Sequence, residues 1–402
     1  MNRLYNLALL IVFSFSLSAQ TMDSTVSWSG PNDYLFDNSK KLVLSSDAGL
    51  VSSFLINSLI FQDFWTDDII QNQSNALSSS NRLGGFINTG ATFYSGKKQG
   101  LYFGINHNAI TGLSSQKDVV KMVLRGNHDF PSLSLDQNNK FESQRYSALT
   151  IGLSEFDSSS KTKMSFGFSL LFGHQYAMIE GSSGLFVTDS SGEEITVTGA
   201  DLVIQEDLSN FFGTIGAGFN FQVVQQRPNS DVWSFQVSDF GFIQSSNIKT
   251  STLLKDFTFD GFDVSSQINS SGGLKIKDSV DQNYLDIDTS SGTRLAPFQT
   301  AFRFIKSLGN SNQLDTRISY LYFSGYYPLL ESNYQQQIKG KKGSWRIGAR
   351  LGGFGAYGIN FGAVLPFSSR HLLMIDVTGL ESMASNNLPV YWYGKLGLTF
   401  KL

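Results

Sequence analysis

The residues of this chain that could act as nucleophiles, acids or bases are few and widely spaced. Cysteine is absent, which excludes thiol catalysis, and so are a Gly-rich phosphate loop, a helical His-Glu-x-x-His pair and a Gly-x-Ser-x-Gly nucleophile elbow. A histidine beside a serine on a neighbouring strand could make a hydrolase, but a histidine at a membrane interface is the simpler interpretation. We therefore predict no enzymatic activity, no cofactor and no metal site. The four histidines are His107, His128, His174 and His371.

A row of basic residues near the C-terminal end is the second set of groups that could do chemistry. If the apolar residues of these segments face lipid, the cations point the other way, because Arg or Lys at a lipid-facing midplane costs about 2–4 kcal/mol. Two interpretations stay open: a basic lumen that selects anionic or amphipathic solutes, or Arg–carboxylate pairs that brace a closed barrel. The predicted lumen residues are Arg303, Arg317, Arg346, Arg350 and Lys395, with Glu155, Asp239 and Asp376 as their carboxylate partners.

The elements that would position these residues are strands with a period of two. In Met164–His174, large apolar side chains alternate with Ser and Gly, as expected for a wall with a lipid face and a lumen face. Twelve such segments are predicted at 86–95, 100–110, 146–156, 164–174, 211–221, 232–242, 298–306, 314–324, 345–353, 357–366, 371–379 and 390–402, with further candidates at 41–50, 251–262 and 284–288. We predict an all-β fold, a transmembrane antiparallel β-barrel of about 14 strands (range 12–16).

Two stretches do not alternate and are predicted to be partly helical. Phe54–Asn75 mixes apolar and acidic residues at helical spacing, and Ser115–Arg125 has an apolar side that follows a serine cap. An irregular strand and loop is an equal alternative for the first stretch. A third stretch, Gly325–Ser344, is too long for a turn on the side where turns should be short, so it hides a hairpin or one strand boundary is wrong.

The beginning of the chain predicts export. Arg3, an apolar run from Leu7 to Phe15 and small residues up to Ala19 are typical of a signal peptide over residues 1–19, cleaved near Ala19. No later stretch reaches the roughly 18 apolar residues that a membrane-spanning helix requires. We divide the remainder into a lead-in or plug segment over 20–80 and a barrel over 81–402.

The end of the chain matches an outer-membrane assembly signal. A polar residue is followed by a glycine two positions later and by hydrophobic or aromatic residues at the third and fifth positions after that glycine; these are Lys395, Gly397, Phe400 and Leu402. The match implies recognition by the barrel-assembly machinery. It also favours a membrane barrel over a soluble β-sandwich, which would alternate in the same way.

Two segments resemble a Bacteroidota outer-membrane β-barrel family of unknown function, domain-of-unknown-function family 5723. They are Val123–Phe130, with Gly126, Asn127 and Phe130, and Phe235–Ile243, with Asp239 and Gly241. The resemblance implies a barrel distantly similar to FadL-type transporters of hydrophobic compounds and to barrel components of secretion and gliding systems. It implies no catalytic residues.

The resulting functional prediction is a barrel in the cell outer membrane that passes or binds small hydrophobic or amphipathic molecules. The alternative is a non-transporting envelope component that serves as a protein-partner scaffold in secretion or surface attachment. Outer-membrane lipid and the assembly machinery are expected partners, together with a small hydrophobic ligand or an envelope protein. With 30 basic and 33 acidic residues, the charge gives no reason to expect nucleic acid.

Overall fold

The computed structural model describes most of the chain after the first 38 residues. The described residues are 39–56, 66–96, 99–125, 132–135, 139–189, 194–207, 213–253, 256–259, 285–309, 311–338, 343–355, 357–368, 371–384 and 388–402. The predicted signal peptide and the motif residues Gly126, Asn127 and Phe130 lie outside them.

The strands form one antiparallel sheet in which a closed barrel of 14 strands is completed by the pairing of the first strand with the last. The predicted fold class and strand number are therefore confirmed. The strands are β1 (Lys41–Ile56), β2 (Ser80–Tyr94), β3 (Gln99–Gln116), β4 (Ser132–Leu135), β5 (Asn139–Asp157), β6 (Thr162–Thr188), β7 (Ile195–Asp207), β8 (Thr214–Gln226), β9 (Val232–Leu253), β10 (Phe257–Phe259), β11 (Leu285–Leu295), β12 (Gln299–Ser307), β13 (Asn312–Leu321), β14 (Tyr327–Gln337), β15 (Ser344–Gly353), β16 (Tyr357–Pro366), β17 (His371–Thr378) and β18 (Pro389–Lys401). Four of these, β4, β7, β10 and β11, pair with the ends of longer strands and extend the wall beyond the closed barrel.

The outer surface of the barrel is apolar because every second side chain points away from the lumen. Phe168 is 64% exposed, Ile151 52% and Leu351 58%, while their chain neighbours Ser169, Thr150 and Arg350 are buried. Large apolar side chains exposed in this number on successive strands would be unstable in water. The outside of the sheet is therefore a lipid-facing surface.

The two ends of the barrel differ in the length of their connections. At the end where β1 begins and β18 ends, consecutive strands are joined by short connections only, at 95–98, 158–161, 227–231, 308–311, 338–343 and 367–370. The opposite end carries the longer connections, among them those that hold β7, β10 and β11. Short turns on the periplasmic side and long loops outside are the usual arrangement of such barrels.

The predicted start of the barrel is wrong, and one strand was missed in the sequence. The barrel wall begins at Lys41 rather than at residue 81, because β1 pairs along its length with β2 and β18. The stretch Gly325–Ser344 contains one strand, β14, whose alternation was hidden because the polar residues Ser332 and Gln336 lie on its outward face. With β14 present, the turn that follows it shortens to 338–343 and the conflict in turn lengths disappears.

Short helices lie at the loop end of the barrel. Helix α1 (Asp67–Ala76) is capped by the Thr66 hydroxyl, which accepts a hydrogen bond from the Ile69 backbone, and it packs with α2 (Lys117–Arg125) through Ile69 and Leu124. No residue of α1 lines the lumen cavity, so this part of the predicted plug segment does not fill it. Helix α3 is the single turn Leu380–Ala384. Within the described residues, no helix has the length and apolar character to cross a membrane.

Candidate functional site

The lumen holds a cavity with two unlike walls. It contains about 990 Å³ of empty space, part of it open to solvent, and lies in the half of the barrel toward the long loops. One wall is apolar and aromatic, and the other carries the charges predicted from the sequence. The part of this space that a water-sized molecule can occupy is about 130 Å³, less than the roughly 300–1,000 Å³ of pockets for drug-sized ligands, so the cavity suits a small ligand.

The apolar wall is a cluster formed by opposite sides of the barrel. Phe354, from the turn after β15, is 1% exposed and packs with Val51 of β1, Ile110 of β3, Leu321 of β13 and Tyr391 of β18. Phe86 and Tyr326 complete the cluster. The Phe354 ring can reach the opposite strands only because they carry glycines at the contact. A Cβ at Gly84 would lie 2.0 Å from the Phe354 ring.

The charged wall follows from the register of four consecutive strands. Arg303 lies opposite Arg317, Arg317 opposite Glu331, and Glu331 opposite Arg350, on β12 to β15. These four residues lie side by side on neighbouring strands and all point into the lumen. Three cations are therefore gathered around one carboxylate. Further carboxylates are needed to balance them, because buried like charges repel strongly in a low dielectric.

Those carboxylates are present and form close pairs. Arg303 holds Asp315 in a two-point contact, with Nε to Oδ1 at 2.7 Å and Nη2 to Oδ2 at 2.5 Å. Arg350 Nε lies 3.1 Å from Glu331 Oε2. Asp376 Oδ2 accepts from the guanidinium of Arg346 and lies 3.4 Å from Nη2 of Arg350. Planar two-point pairing of this kind is what guanidinium groups favour in buried sites.

Lys395 occupies the neighbouring position on β18. Its register partners are Asp47 on β1 and Asp376 on β17, so it stands between two carboxylates. Arg317 lines the cavity and belongs to none of the pairs above. The arrangement agrees with the bracing interpretation for Arg303, Arg346 and Arg350, while Arg317 and Lys395 are the cations that the cavity exposes to a ligand together with Arg350.

Glu155 does not join this wall. It has the same parity as the outward residues Leu149, Ile151 and Leu153, is exposed, and accepts a hydrogen bond from Gln99 at 2.6 Å. Its parity places it on the outer surface at the short-turn end. The expectation that it lies in the lumen is therefore corrected.

Asp239 is inside the barrel but belongs to a different site. It is 1% exposed, its Oδ2 accepts from the Tyr146 hydroxyl at 3.3 Å, and its backbone N–H donates to the Asn220 side chain at 2.9 Å. A positive φ of 55° and one extra residue between Phe240 and Val237 mark a β-bulge here. The bulge keeps Phe235 and Phe240 facing outward on either side of it, and Gly241 allows the close approach of Ala217.

Several residues that shape the cavity were missed in the sequence. Asp315 lies two residues from Arg317 on β13 and therefore faces the same side of the sheet. The alternation of that strand could have identified it as a lumen residue. Glu331 was hidden with its strand. Asp47 lay in a candidate strand, but nothing local marked it as a partner of Lys395. Tyr326, Phe354 and Tyr391 lie at turns or strand ends, where periodicity carries no signal.

The predicted assembly signal lies at the seam of the barrel. Lys395 and Gly397 point inward, whereas Phe400 and the 64% exposed Leu402 share the outward face. Phe400 lies opposite Leu42 on β1 and His371 on β17. Recognition by the assembly machinery stays a prediction. Among the described residues, no three His, Cys, Asp or Glu side chains are arranged to hold a metal ion.

Comparisons with known proteins add the following. No family model matches the chain and no curated protein matches it, so the resemblance to the Bacteroidota family stays a prediction. Solved structures that align over 96% of the chain include a deletion mutant of the monoaromatic hydrocarbon channel TodX (7% identity, 97% of that chain, TM-score 0.48) and a Pseudomonas aeruginosa FadL homologue (10%, 99%, 0.47). The Pseudomonas putida toluene transporter TodX aligns over 96% of this chain and 94% of its own, at 8% identity and a TM-score of 0.43. At these values neither a ligand nor a mechanism is transferred from them.

Proposed function

We propose that this outer-membrane barrel binds small amphipathic molecules in the lumen cavity and passes them across the membrane. The observation that supports this is the pairing of the two walls: Phe86, Ile110 and Phe354 on one side, Arg317 and Lys395 on the other. An apolar body would be desolvated against the first wall, at about 25 cal/mol per Å² of apolar surface. A polar or anionic end would meet the second.

Arg317 is the residue expected to recognise the anionic end, since the other cavity arginine, Arg350, is held by Glu331 and Asp376. The test measures binding of 4-phenylbutyrate and of the neutral 4-phenylbutanol to the barrel in lipid nanodiscs by calorimetry. We expect Arg317→Gln to weaken the acid about tenfold, equivalent to about 1.4 kcal/mol, and the alcohol less than twofold.

Arg227→Gln, in the turn before β9, is the matched control and should leave both affinities unchanged. Equal binding of acid and alcohol by the wild-type protein, or no binding of either, would contradict the proposal. Uptake of 4-phenylbutyrate by proteoliposomes that contain this protein alone tests passage. A stoichiometric protein partner in detergent extracts, together with no uptake, would instead favour the scaffold alternative.

A further inference from the structure

A second cavity lies in the lumen, against the wall formed by β2, β3, β5, β6, β8 and β9. Its lining consists mostly of hydroxyl and carboxamide groups, with three aromatic rings. Among the described residues that line it, Asp239 is the only charged one, so this cavity carries one negative charge and no positive one. The polar lining residues are Thr92, Asn106, Thr150, Ser165, Asn220, Gln222, Gln236 and Ser238.

The β-bulge on β9 brings the carboxylate to this cavity. Because the bulge inserts one residue into the strand, the consecutive residues Ser238 and Asp239 both line the lumen, where they are 5% and 1% exposed. In a regular strand one of the two would point to the lipid. The Asn220 side chain holds the bulge from β8: its Oδ1 accepts from the Asp239 backbone N–H at 2.9 Å, and its Nδ2 donates to the Ser169 hydroxyl at 2.7 Å.

The Asp239 carboxylate is incompletely satisfied by the protein. Its Oδ2 lies 3.3 Å from the Tyr146 hydroxyl, which also donates to the Pro297 carbonyl at 3.1 Å and has only one proton to give. Its Oδ1 has no hydrogen-bond partner. None of the lysines and arginines in the described part of the chain forms an ion pair with it. Burial of such a group is unfavourable, so the carboxylate requires a proton or a cation from solution.

The size and charge of the cavity favour a small monovalent cation. The part that a water-sized molecule can occupy is about 40 Å³, room for about three waters. One carboxylate balances one positive charge, whereas a divalent ion would leave an excess charge in the lumen, where a low dielectric makes it costly. The hydroxyls of Thr150, Ser165 and Ser238 supply neutral oxygens, since a hydroxyl that donates a hydrogen bond keeps its lone pairs.

We propose that Asp239 binds a single sodium or potassium ion in this cavity. Carboxylate, hydroxyl and water oxygens are the ligands that hard cations prefer. A site with one carboxylate differs from a cluster of three or more His, Cys, Asp or Glu side chains, which the described residues do not form. The ion would be bound whether or not the cavity beside Arg317 takes an amphipathic ligand.

The test compares unfolding of the barrel by urea in phosphatidylcholine vesicles that contain sodium, potassium or choline chloride at equal ionic strength. Choline is too large for the space beside Asp239, so it screens charges without binding there. A ligand that binds only the folded state stabilises it more as its concentration rises. At about 200 mM, we expect sodium or potassium to lower the unfolding equilibrium constant of the wild-type protein about tenfold relative to choline. Asp239→Asn should abolish this difference.

Glu155→Gln, which removes an exposed carboxylate from the outer face, is the matched control and should keep the full difference between the salts. Sodium NMR gives a second measurement, because line broadening by the wild-type protein should disappear in Asp239→Asn. That variant must show the heat-dependent gel shift of a folded barrel; if it does not fold, the comparison of salts with the wild-type protein decides.

Equal stability of the wild-type protein in the three salts would overturn the proposal. It would mean that the carboxyl is protonated, donates to Tyr146 and needs no ion, in agreement with the absence of a metal site predicted from the sequence. A full difference between the salts in Asp239→Asn would place the ion elsewhere and overturn it as well. A larger effect of millimolar magnesium chloride would contradict the assignment to a monovalent ion.

Discussion

Asp376 is the residue on which the charged wall depends most. It is 1% exposed and serves both Arg346 and Arg350, while Lys395 lies opposite it on β18. Placing so many charges in a protein interior is unfavourable unless each finds a partner. The wall is stable because every named arginine in it except Arg317 has a carboxylate within contact.

Replacement of Asp376 by asparagine should therefore destabilise the barrel strongly. Removing one partner of a buried pair costs about 3–5 kcal/mol, because the other charge stays buried without compensation. Urea titration of the barrel in lipid vesicles, followed by tryptophan fluorescence, measures the change in the free energy of unfolding. Glu155→Gln, an exposed carboxylate on the outer face, is the control and should change it by less than about 0.5 kcal/mol. Equal stability of the two variants would show that the pairs contribute nothing.

At the level of elements, the loop-side half of the lumen is narrowed by turns that reach across the barrel. The turn after β13 brings the Ser324 carbonyl to Gly112 on β3, and the turn after β15 brings Phe354 to Gly84 on β2. Arg82 of β2 donates to the Gly353 carbonyl at 3.2 Å and stacks on Tyr327, with its guanidinium 4.0 Å from the ring centroid. The cavity is thus the space that remains below a contact between opposite walls.

A side chain at Gly112 should disturb this contact. The Cβ of alanine would lie 2.1 Å from the Ser324 carbonyl oxygen, so the turn must move. We expect Gly112→Ala to lower the free energy of unfolding by about 1–3 kcal/mol, the usual range for overpacking. Gly394→Ala is the matched control, because nothing lies within 4 Å of its Cβ position. Unchanged stability in Gly112→Ala would mean that the turn and β3 do not touch in the folded protein.

At the scale of the whole molecule, the closed wall and its apolar exterior decide where the protein resides. Closure pairs every strand of the 14-strand barrel with two neighbours, which satisfies the backbone where water is absent. The belt of exposed Phe, Leu and Ile then has lipid as its natural solvent. The cavity lies in the half of the barrel toward the longer connections.

A charge in the middle of the belt tests this description. Phe168→Arg, at a position 64% exposed, should cost about 2–4 kcal/mol in lipid vesicles. Phe367→Arg is the control. Phe367 is 55% exposed and lies just after β16 at the short-connection edge of the apolar belt, where an arginine should cost about 0–1 kcal/mol. Both are measured by urea titration. If the two substitutions cost the same, residue 168 does not face hydrocarbon.

The sequence by itself determined which segments are strands and which side of each strand faces lipid, because a period of two is a local property of the chain. It failed where that local signal was weak: at β14, whose outward face mixes Leu330 and Tyr334 with the polar Ser332 and Gln336, and at the turns that carry Tyr326 and Phe354. It also failed for Glu155. The alternation of β5 places this residue on the outer face, but its charge suggested a position in the lumen.

Only the tertiary structure decided which residues meet. The pairing of Arg350 with Glu331, of Lys395 with Asp47, and of Ser147 with His107 depends on the register between strands that lie far apart in the chain. A shift of one residue would turn each side chain to the other face. Register is set by closure of the whole sheet and by bulges such as the one at Asp239, so no local pattern could have specified it.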